Sequence, residues 1–578
     1  MPNISFAGAK KRKTRHSGWV FRMSRQKPGD VQLSLAQRGL LSLVDELLLN
    51  IIDQIDNRDS LCSLAATCTR FQDLVEPYVW RKLLILKGTH ARSIAAALDS
   101  RDARVDYVQD LSIRYKDEYR EGIEELNHFV SLMSKLRHLT IESPCPNNSE
   151  WRSGVYFDGW SRIDYTNLLA RAVYPRTGIP LALPVLQSLT LHGHGAGDKK
   201  FLLGNAVAMF RHPTLRQITI SCLNFDAEMR SDDILEDERK STPLQSLVLI
   251  ECNVNVLFLD AVLSLPKALK VLSIGERLHA FEECIPSLVS KTRTSSAKFL
   301  AALQRQAHSL TQLKHIGGHI RYQTSREIDP EGSAKMRSFT NLEHLELGFE
   351  SNIYYYIRNN GFPPSLKTLK MLDAAISLNA GHDLRSLSDI AFRSLTSLVT
   401  DHLPITLPAE FTLHLNFADH SFFTLFITAN PSEERHLLST LFLNRPAVYK
   451  IASILKSYNS RFLISRETFP LGTSFIPPYM YGEDLPMEEM MYDSDSYWRF
   501  NGIDYQVMDD EKLRNELREE KKLFVCIRCT KSGLGVDQCL NLGDGSACLP
   551  CALRGGCSYL RDENGQMVPV IQSGISQQ

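Results

Sequence analysis

Residues Leu186–Leu191 read "LQSLTL", and the periodicity of this stretch decides the fold. Leu189 and Leu191 fall two apart, as the inward face of a short strand requires, with Ser188 and Thr190 between them and beside them on the other face. The same phrase, L-x-x-L-x-L, recurs along the middle of the chain. It reads "VQDLSI" at Val108, "LRHLTI" at Leu136, "LRQITI" at Leu215, "LQSLVL" at Leu244 and "LKVLSI" at Leu269. It continues as "LTQLKHI" at Leu310, "LEHLEL" at Leu342, "LKTLKM" at Leu366 and "LTSLVT" at Leu395. Several copies follow Pro, Thr or Ser.

Spacings run mostly from about 24 to 32 residues, with wider gaps before Leu186 and Leu310. A recurring half-apolar strand cannot bury its face alone, but parallel stacking of successive copies joins the faces into one core. "KKFLLGNAVAMFRH" and "AKFLAALQRQAH" between copies read as helices on the outer side. The period and phrase resemble leucine-rich repeats in divergent form, since the Asn of regular repeats is mostly missing. The fold class expected is therefore α/β, with an irregular leucine-rich-repeat solenoid over residues 100–405. A doubly wound α/β domain would not generate so many similar phrases. Near Leu403 the repeat fades, and residues 406–470 are expected to cap the solenoid. "FTLHLNFADHSFFTLFITA" reads there as strands, followed by two helices broken near Pro446.

Upstream lies "LSLVDELLLNIIDQI", Leu41–Ile55, an apolar helix in need of cover on most of its circumference. A second short helix, capped by Asp59 or Ser60, carries Leu61, Leu64 and Ala65. A third holds Phe71 and Leu74, stops near Pro77 and leads to Tyr78 and Trp80. Three helices in so few residues approach the lower limit for a self-sufficient core, and their apolar positions exceed what the bundle can hide. This block, residues 36–88, resembles an F-box, including the fungal type that precedes divergent leucine-rich repeats. The matching positions are Leu43, Glu46, Leu47, Leu48, Ile51, Ile55, Leu61, Leu64, Cys68, Arg70, Phe71, Leu74 and Trp80. Val44 stands where the family's pattern has Pro, which implies a less rigid first helical turn and lower adaptor affinity.

The resemblance implies docking on the Skp adaptor of a cullin–RING ubiquitin ligase, with the rest of the chain recruiting a protein substrate. The adaptor-binding residues it implies are Leu43, Val44, Leu47, Leu48, Ile51, Ile52, Leu61, Leu64, Cys68, Arg70, Phe71 and Trp80.

Both ends are charged. Residues 1–35 form a basic tail expected to be disordered, and its "KKRKTR", Lys10–Arg15, suits either an import signal or a solvated tail. Residues 471–522 read as an acidic linker and a short helix. Residues 523–562 hold Cys526, Cys529, Cys539, Cys548, Cys551 and Cys557, half of the chain's 12 cysteines, which sets this segment apart. Two C-x-x-C pairs at this spacing suit a zinc module, because a two-residue gap lets both thiolates reach one ion. The order also resembles the fungal binuclear zinc cluster, although the gap to Cys539 is long. Few basic residues flank it, so a structural or protein-docking role for zinc is expected, with a short tail at 563–578.

The sums of Lys plus Arg and of Asp plus Glu are both 66, which gives the whole chain no bias toward nucleic acid or membrane. No apolar run reaches membrane-spanning length and no signal-peptide core follows the basic start, so cytoplasm or nucleus is expected. "HGHGAGDKK" lacks phosphate-loop spacing, and no nucleophile elbow or zincin helix appears, so no enzymatic activity is expected. The aromatic stretch with Trp151, Tyr156, Phe157, Trp160 and Tyr165 suits recognition or capping. Competing functions are a nuclear zinc-containing nucleic-acid regulator and a scaffold without a ligase role.

Overall fold

The computed structural model describes residues 39–505, apart from 143–160, 193–202, 277–295, 317–328, 373–398, 400–409, 419–450, 469–486 and several shorter breaks. The basic tail, most of the aromatic stretch, the glycine-rich "HGHGAGDKK" beyond His192 and the cysteine-rich module lie outside the described residues. The chain divides into two compact units, Met1–Glu76 and Pro77–Gln578.

The first unit contains helix α1, Asp45–Ile52, and helix α2, Arg58–Ala65; helix α3, Thr69–Arg81, begins in it. Two details differ from the sequence reading. Asn57, rather than Asp59 or Ser60, caps α2, its Oδ1 accepting the backbone N–H of Asp59 at 2.8 Å and of Ser60 at 3.4 Å. Pro77 does not stop α3, which runs on to Arg81. Proline lacks the backbone N–H of one helical bond, and the helix continues through it, with Phe71, Val75 and Glu76 before it buried.

In the second unit the described residues form a sheet of 14 strands. Its strands run β1 (Lys82–Ile85), β2 (Asp110–Arg114), β3 (His138–Glu142), β4 (Ser188–His192), β5 (Gln217–Ser221), a two-residue β6 (Asn224–Phe225) and β7 (Ser246–Val254). They continue as β8 (Val271–Glu276), β9 (Gln312–Ile316), β10 (His344–Leu347), β11 (Thr368–Leu372), β12 (Thr412–Ala418), β13 (Arg461–Thr468) and β14 (Met487–Asp493). Neighbours follow chain order, with β6 lying off the path beside β7. Every pairing from β1 to β13 is parallel; β14 alone returns antiparallel. The result is a mixed α/β region built on a long open sheet.

The register explains why the phrase repeats. Leu83, Leu111, Leu139, Leu189, Ile218, Leu247, Leu272, Leu313, Leu345, Leu369, Leu413 and Phe462 stand opposite one another on successive strands. All of them are buried in one continuous core. The leading leucine of each phrase, from Leu136 to Leu366, enters the same core just before its strand. Helices between strands cover it, including Val256–Ser264 and Ser296–Gln304. The expected helix within "KKFLLGNAVAMFRH" is a tighter 3-10 helix, Gly204–Arg211.

Two wide gaps hide no missing strand, because β3 pairs directly with β4 and β8 with β9. Across "LTSLVT", too, β11 pairs directly with β12. Only Val399 of that phrase is described, and it is buried. The sheet and its core run on past residue 405, the expected end of the repeats. Leu413 and Leu415, then Phe462 and Ile464, continue the core rows on β12 and β13, and Phe411 just before β12 is buried in the same core. Phenylalanine in these rows fills the leucine positions, and an L-x-x-L search does not see it. The segment expected as an acidic linker contributes β14 and a small hairpin, β15 (Trp498–Phe500) with β16 (Ile503–Tyr505).

One inward position is polar. His315 pairs with Ile274 and Leu347 in the second core row and is fully buried. Its Nδ1 lies 2.8 Å from the Ser351 hydroxyl, and its ring lies against Phe299 at 4.6 Å between centroids. A buried imidazole needs such a partner to offset its desolvation.

Candidate functional site

The first unit buries Leu48 and Ile52 of α1, Leu61 of α2, and Phe71 and Val75 of α3. Leu48 and Ile52 are one helical turn apart and share the inward stripe. The neighbouring stripe of α1 points outward: Val44 is 58% exposed, Leu47 49% and Ile51 40%. Leu40 and Leu41, just upstream in a 3-10 turn, are also about half exposed. Large aliphatic side chains at this density on one short surface are unusual for a solvated face.

Arg70 organises the start of α1. Its Nη1 donates to the Leu41 carbonyl at 2.6 Å and its Nη2 to the Leu43 carbonyl at 2.7 Å. Nε and Nη2 both donate to the Asp45 carboxylate, at 3.0 and 2.7 Å. One guanidinium thus ties α3 to the segment that presents the apolar stripe, through a fork no lysine can reproduce. Asp45 lies in the first turn of α1, where a carboxylate also meets the positive end of the helix dipole. Because the pair is substantially exposed, its Coulomb energy is small; its effect is positional.

These placements divide the residues that sequence reading grouped together. Val44, Leu47 and Ile51 form the outer surface. Leu48, Ile52, Leu61 and Phe71 are interior and act by holding that surface up. Leu43, Leu64, Cys68 and Arg70 are half-buried. Trp80 is not brought to the stripe's unit: it packs against the core of the sheet unit, with the Arg104 guanidinium 5.2 Å from its ring centroid. Sequence reading missed Asp45 and Asn57, whose signals are a carboxylate in a first turn and an Asn just before a helix. The six cysteines chosen as zinc ligands lie outside the described residues; among the described ones, no cluster of metal-binding side chains occurs.

Val44 has φ −69° and ψ 156°, and Leu43 before it is extended at φ −72°, ψ 149°. Both values are what proline and the residue before it adopt. Val44→Pro is therefore expected to raise the unit's stability by about 0.4–1 kcal/mol through the unfolded state. A thermal melt that falls instead would show that the local backbone is not the one described. Arg70→Ala is expected to cost about 0.5–1.5 kcal/mol by removing the bonds that tie α3 to the start of α1. Arg70→Lys should recover less than half of that, read by urea denaturation.

A search of curated proteins finds no match to this chain. Residues 42–86, the segment that contains all three helices and β1, match the family model described as F-box-like, and the chain carries an F-box-like domain there.

Proposed function

We propose that this chain is the substrate-receptor subunit of a cullin–RING ubiquitin ligase. F-box domains bind Skp-type adaptors in such ligases. The single observation that carries the reading is the exposed stripe of Val44, Leu47 and Ile51, standing on a separate buried set within the matched segment. Burying those side chains against an adaptor contributes roughly 1.5–3 kcal/mol each before association costs.

The long sheet, read as an irregular leucine-rich-repeat solenoid, recruits a protein substrate, and ubiquitin transfer belongs to other subunits. Strands in strict chain order, with one continuous core row, support that reading. The receptor acts in the cytoplasm or nucleus, and no helix among the described residues is long and apolar enough to cross a membrane. Thiolates of Cys526, Cys529, Cys539, Cys548, Cys551 and Cys557 are the right donors for one or two structural zinc ions. Affinity purification of the full chain, with mass spectrometry of what co-elutes, tests the whole reading. Adaptor and cullin should appear together with a substrate set that grows when the proteasome is inhibited. Their absence would remove the ligase role.

A further inference from the structure

The last strand of the sheet differs in kind from the others. Strands β1–β13 are parallel and hold their places by burying aliphatic side chains. β14 comes back antiparallel from the acidic stretch "EDLPMEEMMYDSDS", and of its described side chains only Tyr492 enters the core. Its register with β13 is broken by an irregularity between Ile464 and Ser465. Beyond its backbone pairing with β13 and the burial of Tyr492, charged contacts fix its outer side chains. The Glu488 carboxylate reaches across the polar side of the sheet, accepting from Lys370 Nζ of β11 at 3.1 Å and from Asn416 Nδ2 of β12 at 3.2 Å. It also accepts from the Ser465 hydroxyl of β13, and His414 Nε2 of β12 lies 3.0 Å away. Two further carboxylates converge on Arg461 of β13, whose Nε is 2.8 Å from Asp493 Oδ1 and 3.3 Å from Asp495 Oδ2.

We infer that the polar face formed by Lys370, His414, Asn416, Ser465 and Arg461 at the end of the sheet, with Asn416 and Ser465 buried, is a binding site for an extended acidic peptide, and that β14 is its resident occupant, displaced when a partner peptide adds to β13. The geometry fits strand addition: backbone bonds to the sheet edge supply affinity, and side-chain sites at alternate positions supply the choice of sequence. Without β14, β13 would be an exposed eight-residue edge, which proteins ordinarily keep covered. Carboxylates on β14 satisfy cations that would otherwise be costly to shield. Burial pulls the Glu488 pKa upward, but the bonds from Ser465 and Lys370 outweigh it and bring it down to about 2. Burial, aided by Lys370, lowers His414 to about 4, so the imidazole is neutral near pH 7 and the site's fixed cations are Lys370 and Arg461.

This inference deepens the receptor reading by naming a substrate class, an extended segment with carboxylates about five residues apart, as Glu488 and Asp493 are. The probe is a fluorescein-labelled peptide of residues 486–496. Full-length protein carrying Glu488→Gln and Asp493→Asn, which loosens the resident strand, is expected to bind it at least about tenfold more tightly than the wild type. Adding Lys370→Glu and Arg461→Glu should remove that gain. A peptide that does not bind the folded Gln/Asn variant, or that binds the four-substitution variant equally well, overturns the proposal. If the loosened variant unfolds, hydrogen exchange on the wild type decides: β14 amides should exchange at least about tenfold faster than those of β12, and equal rates would overturn it. The assay contains no adaptor, so its failure leaves the docking reading standing, and failed docking would not alter its outcome.

Discussion

Replacing Leu47 and Ile51 together with aspartate is expected to abolish co-purification with a Skp-type adaptor while the chain stays folded. Both side chains are already in water, so a carboxylate there costs the free protein little. In a complex the same positions lose their apolar burial, and two charges are stripped of solvent without partners. The burial alone amounts to roughly 3–6 kcal/mol for the pair, a loss of about two to four orders of magnitude in affinity. Leu48→Asp is the instructive contrast. Leu48 is 1% exposed, so a charge there should unfold the helical unit and remove binding for an unrelated reason. Circular dichroism separates the two: the Leu47/Ile51 variant should melt like the wild type. If that variant still brings the adaptor down, the outer stripe of α1 is not the docking face.

The second large effect concerns the sheet. Leu345→Ala is expected to destabilise the second unit by about 2–5 kcal/mol, because the side chain is fully buried and flanked by Leu313 and Leu369 in the same row. Glu346→Ala, one residue on, should cost less than about 0.5 kcal/mol. Its side chain is on the open face and its partner Lys314, 3.4 Å away, is comparably exposed. Urea denaturation midpoints of the two variants test the parity directly. Comparable losses would mean that the two faces of the sheet had been assigned the wrong way round.

Much of this architecture was legible because strand periodicity is short-range. Leucines two apart mark a buried strand face, and recurrence of the phrase marks stacking, whatever the length of the intervening loops. The reading lapsed where the core accepted a different side chain. Phe462 occupies a row otherwise filled by Leu and Ile, and the inward His315 lies within hydrogen-bonding distance of Ser351. β11 pairs directly with β12 across the "LTSLVT" phrase, since neighbours in a sheet are settled by which segments meet.

The helical unit shows the same division. Composition and spacing alone identified an apolar surplus near the amino end and the residues that make it. Sequence could not sort Leu47 from Leu48, because adjacent helix positions lie about 100° apart and either could face inward. Tertiary burial of Leu48 and Ile52 made that choice, and the Arg70 fork, formed between residues 25 or more apart in the chain, set the approach to α1. Acidic character after residue 483 was likewise plain in the letters. That Glu488 of this stretch meets Lys370, more than a hundred residues earlier, is a fact of the sheet alone: only stacking brings such distant charges within bonding range.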